Sequence, residues 1–63
     1  MYFVFDGRAT YDIDRAMVLE VIGTKSEKQA VREFKRGYKH TDSVLADENQ
    51  EIIMYDVEQD YIF

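Results

Sequence analysis

Sixty-three residues with thirteen acids against eight lysines and arginines, net charge −5, make one domain whose core must be small. The absence of cysteine and the single histidine, His40, exclude a disulfide framework, thiolate chemistry and a histidine-rich metal centre, so no cofactor or metal is expected. No apolar run approaches the roughly 18 residues that span a bilayer, and Met1 to Asp6 lacks the basic region and cleavage site of a signal peptide; a cytoplasmic protein with no membrane partner is expected.

Tyr2-Phe3-Val4-Phe5 is a run of strand formers followed by Asp6-Gly7 and then Arg8-Ala9-Thr10-Tyr11. An Asp-Gly pair in that setting predicts a type I′ hairpin, with Phe5 opposite Arg8 and Tyr2 opposite Tyr11. Asp12-Ile13-Asp14 then interrupts the apolar pattern as a turn or bulge. Ala16 to Ile22 admits two readings: a short helix capped by Asp14 and ended by Gly23, or a buried strand. Val18, Val21 and Ile22 are β-branched and the run is apolar at nearly every position, which favours the strand.

The stretch from Thr24 to His40 has the clearest pattern. Thr24 with Glu27, and Ser26 with Gln29, each fit a capping box, so the helix starts at one of two places and Lys25 can lie outside it. At 100° per residue, Ala30, Val31, Phe34 and Tyr38 share one arc while Lys28, Arg32, Lys35 and Arg36 share the opposite one. Gly37 is expected to end the helix in a left-handed cap, with Tyr38, Lys39 and His40 leading out. Ser43 to Asp47 reads as a strand, Asp47 to Gln50 as a polar turn and Glu51 to Val57 as a further strand. In that last strand Ile53, Tyr55 and Val57 fall on one face and Ile52, Met54 and Asp56 on the other. Tyr61-Ile62-Phe63 is bulky enough to require a docking place.

These elements predict an α+β domain in ββαββ order, a single helix packed on one face of a small antiparallel sheet. Tyr2 to Phe5, Val18 to Ile22 and Ile52 to Tyr55 are apolar on both sides of the pleat, and one helix covers one side. A homodimer with stacked sheets, an added edge strand or the terminal aromatic segment would cover the other. Because a chain of this size commonly needs a staple and no disulfide is available, the homodimer is the expected solution.

Catalytic groupings are thin, and no enzyme is expected. His40-Thr41-Asp42-Ser43 has the residue types of a hydrolase triad, but such residues collect after helices for turn reasons. The carboxylate pairs Asp12/Asp14, Asp47/Glu48 and Glu58/Asp60 read as solvated turn charges. A calcium loop beginning at Asp12 fails where Met17 and Gly23 replace the turn glycine and the bidentate glutamate. Gly7, Gly23 and Gly37 are too far apart for a phosphate loop.

Charge is divided instead. Residues 25–40 hold six cations and two acids, net +4, and the rest of the chain holds two cations and eleven acids, net −9. Lys28, Arg32, Lys35, Arg36 and Lys39 are the candidate binding residues, for a protein partner steered by the opposite charges on the two ends of the domain or alternatively for nucleic acid. Solvation and the helix dipole offer a purely structural account of the same lysines and arginines. The succession Tyr2-Phe3-Val4-Phe5-Asp6-Gly7-Arg8-Ala9, Val18-Leu19-Glu20-Val21, Thr24 to Phe34 and Val44-Leu45-Ala46-Asp47 resembles the small accessory open reading frames of tailed-phage genomes. That resemblance implies a stoichiometric inhibitor or adaptor of a host or defence protein. Some acidic members mimic DNA, a version from which the cationic helix departs. The expectation is a small acidic, non-enzymatic protein-binding module.

Overall fold

Asp6 makes the first decision of the fold, and it is not a hairpin. In the computed structural model, which describes residues 1–38 and 42–55, the Asp6 Oδ1 accepts the Arg8 N–H at 2.9 Å and Thr10 Oγ1 donates to the Gly7 carbonyl at 3.0 Å. These bonds close a helical turn, since an aspartate side chain can take over the role of a backbone acceptor two residues before the amide it serves. No glycine has the positive φ that a type I′ turn demands. The chain therefore leaves strand β1 (Tyr2–Asp6) for a four-residue helix α1 (Ala9–Asp12), whose last residue departs from helical dihedrals at φ −156° and ψ 80°, and makes a 3-10 turn over Ile13–Arg15.

Strand β2 (Val18–Ile22), helix α2 (Glu27–Tyr38), strand β3 (Ser43–Asp47) and strand β4 (Ile52–Tyr55) follow. The order is βαβαββ with two α-helices, which corrects the expected ββαββ arrangement with a single helix. The expected pairings of Phe5 with Arg8 and Tyr2 with Tyr11 give way to Phe5 with Val18 and Tyr2 with Ile22. All strand pairs are antiparallel, and the spatial order is β2-β1-β3-β4, so the first strand lies inside the sheet and β2 and β4 form its edges.

Alternation along β1 divides its side chains between two faces. Val4 joins Ile22 and Leu45 beneath Ala30 and Phe34 of α2, with Tyr2, Val31, Tyr38, Ile53 and Met54 packed around them. Phe5 points the other way, with Val44 and Ala46, onto Ala9 of α1, and Phe3, Ile13 and Ala16 close in beside them. The second face thus has a lid of its own within one chain. This corrects the expectation that only a second molecule, an added strand or the terminal segment could shelter it.

The shelter is partial. Register places Val18, Phe5, Val44 and Tyr55 in one cross-strand row, and Val21, Phe3, Ala46 and Ile52 in the next. Val44 and Ala46 at the centre are buried, while Val18, Val21, Ile52 and Tyr55 on the two edge strands are between 38% and 52% exposed. Bulges at β2 and β4 shift the pattern by one residue. Consequently Ile53 and Met54, expected on opposite faces, both pack toward the α2 core.

Two polar devices hold the ends. Asp47 Oδ1 accepts the amides of Asn49 and Glu51, each at 2.9 Å, and organises the β3–β4 turn, in which Gln50 takes φ 65°. At the opposite end of the sheet, Asp6 Oδ2 accepts the Met17 N–H at 3.3 Å while the Asp6 N–H donates to the Met17 carbonyl at 3.0 Å. One aspartate therefore ties the end of β1 both to its helix and to the approach of β2. Gly7 sits so close to the Asp42 carboxylate that a Cβ there would displace it. Among the described residues no helix is long and apolar enough to cross a membrane.

Candidate partner-binding surface

Helix α2 begins at the second of its two predicted starts. Ser26 Oγ accepts the Gln29 N–H at 3.2 Å and the Ser26 carbonyl accepts the Ala30 N–H at 3.0 Å, while Thr24 Oγ1 accepts the Ser26 N–H at 3.1 Å. Lys25 accordingly lies outside the helix, exposed. The expected end at Gly37 is not found. Gly37 stays helical with no left-handed cap, and the helix runs to Tyr38. Tyr38, the one further residue, is held by two contacts. Its ring stacks on Phe34 with centroids 5.8 Å apart, and its hydroxyl donates to Glu20 Oε1 of β2 at 2.8 Å.

That bond couples helix to sheet and perturbs the phenol. The hydrogen bond to Glu20 raises the Tyr38 pKa above its ordinary value, with further upward contributions from burial and from repulsion between phenolate and carboxylate. Tyr38 thus ties the helix to β2.

With Ala30 and Phe34 buried, Lys28, Arg32, Lys35 and Arg36 all stand exposed on the outer side of α2. No ion pair among the described residues engages any of these four cations. Glu33, one of the two acids of the helix, accepts a hydrogen bond from Gln29 Nε2 at 3.2 Å. The other expected member, Lys39, lies outside the described residues, as do His40 and Tyr61-Ile62-Phe63. Four positive charges on one helix, unpaired among the described residues and in excess of its two acids, form a surface that attracts anions at a distance of about a Debye length, ~8–10 Å in physiological salt.

Glu27 and Glu33 are the two acids of α2, and other acids lie elsewhere. Asp47, Glu48 and Glu51 cluster at the β3–β4 turn, where Glu48 also meets the N-terminal ammonium at 3.8 Å. Asp12 pairs with Arg15 at 3.3 Å beside α1. Both pairs are exposed and worth little energetically. Among the described residues no three His, Asp or Glu side chains converge in a geometry suited to a metal ion. A shallow polar groove runs past Asp6, Gly7, Thr10, Tyr11 and Asp42. Its Asp6 carboxylate is already committed to two backbone amides, so it is a structural feature of the α1 turn.

The open apolar flanks of the sheet are a second surface. Sequence patterning exposes the excess of apolar residues but not which of them stay uncovered, because that depends on β1 lying between β2 and β3. No protein-family model matches the chain, and no match was found among curated proteins or among solved structures.

Proposed function

We propose that this protein is a small non-enzymatic binding module of the cytoplasm that acts as a homodimer and captures an acidic surface of another protein with the outer face of α2. The phage-type resemblance in its strand and helix succession makes an inhibitor or regulator of a host or defence protein the favoured role. The observation that carries the reading is the set of Lys28, Arg32, Lys35 and Arg36, exposed together and unengaged by any ion pair among the described residues. Cations that served stability alone would gain by pairing along the helix at i,i+4 spacing, and here none does. The strongly acidic remainder, net −9 outside residues 25–40, directs binding to one side of the molecule and disfavours the long phosphate backbone of nucleic acid.

The test is a charge reversal. Arg32→Glu with Arg36→Glu should abolish capture of the native partner in a pull-down from the encoding organism, identified by mass spectrometry, while leaving the circular dichroism spectrum unchanged. Capture that survives the reversal would transfer the binding site to another surface. A gel shift with short duplex DNA separates the alternative. Four phosphate contacts would weaken about a hundredfold between 50 and 200 mM salt, and the present reading expects no shift even at low salt.

A further inference from the structure

The uncovered flanks of the sheet lie beside a raised lid, and that relief decides what can fit them. Ala9 of α1 is buried against Phe5 and Val44, so Tyr11, two residues on and about 200° around the helix, forms the crest of the lid and is 80% exposed. On either side of the covered centre lie Val18 and Val21 of β2, and Ile52 and Tyr55 of β4. A ridge beside hollows is complementary to a second copy of itself about a two-fold axis, each ridge entering the other's hollow, which is the requirement for an isologous interface.

We infer that this face is the contact between two copies of the chain, the lid of each seating on the open apolar flank of the other. Area supports that occupant. Tyr11 and the four flanking residues expose on the order of 500 Å² in all, about 400 Å² of it apolar once the phenol hydroxyls and backbone are set aside. A standard interface buries about 800 Å² per partner, of which roughly 57% is apolar, or about 450 Å². Charge supports it as well. Each copy carries −5, so two copies tolerate contact only through surface poor in acid. The two rows of sheet residues on this face contain no charged side chain. The segment bearing the lid holds Arg8 and Arg15, the only cations outside residues 25–40, against Asp12 and Asp14. Asp6 and Asp42 lie at the root of the lid, so its charges sit at the margin of the apolar rows, and α2 with its cations faces away on the other side of the sheet.

This inference rests on the homodimer in the proposed function and assigns the face that forms it. Sedimentation velocity and light scattering on the intact chain at micromolar concentration test both together. The wild type should have a mass of about 15 kDa, twice the 7.5 kDa of one chain. Val21→Glu and, separately, Tyr11→Glu should each halve it with the circular dichroism unchanged, and Arg32→Glu with Arg36→Glu should leave it at the dimer value. Tyr11→Glu alters a side chain that is four-fifths exposed, so it remains informative even where Val21→Glu fails to fold. A wild type of 7.5 kDa across that range overturns the dimer itself. A dimer that persists in both Val21→Glu and Tyr11→Glu overturns the assigned face while leaving dimerisation standing, the outcome expected if the copies joined through the β2 edge.

Discussion

The two sides of the sheet are built from the same four strands and are closed in different ways. On one side α2, twelve residues long, spans about 18 Å at 1.5 Å per residue, comparable to the width of four strands spaced about 4.8 Å apart. On the other, α1 has four residues and covers about 6 Å before the chain must turn back to form β2. The first side is sealed across β2, β1 and β3, whereas the second is sealed only along its centre. Lid length, rather than the apolar content of the strands, separates a finished face from an unfinished one.

Truncation on each side measures that difference. Phe34→Ala should cost about 3–5 kcal/mol, close to the whole stability of so small a domain, and leave the chain unfolded by circular dichroism at 25 °C. Ile13→Ala, on the half-covered side, removes a partly exposed side chain and should cost only about 1–2 kcal/mol in a urea titration. Equal losses at the two positions would erase the distinction between the lids.

The polar ties sharpen it further. Asp6→Ala removes the acceptor for both the Arg8 and Met17 amides and should lower stability by about 1–2 kcal/mol. Because both bonds lie at the root of the short lid, the loss should appear as increased dye binding to apolar surface on the α1 side. The smallest effect is electrostatic. The folded state holds the Tyr38 proton to higher pH than the unfolded chain does, so its contribution is complete below the ordinary tyrosine pKa of about 10 and fades as pH climbs through the raised value. Spectrophotometric titration should show one of the five tyrosines ionising late, and Glu20→Ala should return it toward the others.

Helix α2 was legible because its signals agree: serine and threonine caps, a 3.6-residue apolar period and a cationic opposite face all specify the same element. Its end differs from the expected one because Gly37 suits a cap locally, while Tyr38 beyond it is held by Phe34 four residues back and by Glu20 on a strand eighteen residues away. Helix α1 was hidden for a different reason. Four residues are too few to show a period, and Asp-Gly is ambiguous, since the same aspartate that favours a tight hairpin turn also accepts amides at a helix start. The choice was settled by Asp6 bonding to Met17, a contact no local window contains. Strand β3 appeared at its expected bounds, Ser43–Asp47, whereas the alternation expected in β4 was displaced by a bulge that leaves no mark on composition. The candidate cations Lys28, Arg32, Lys35 and Arg36 stand where the helical wheel put them, because exposure of lysine and arginine follows directly from the apolar period opposite.

The position of β1 bears on how the molecule is made. The earliest of the four described strands is an interior one, and its second neighbour, β3, ends at Asp47. At typical elongation rates roughly 2–8 s of synthesis separates Asp6 from that residue. Throughout that interval Tyr2-Phe3-Val4-Phe5 can pair with β2 alone, so one edge of an apolar strand stays open until β3 has been made.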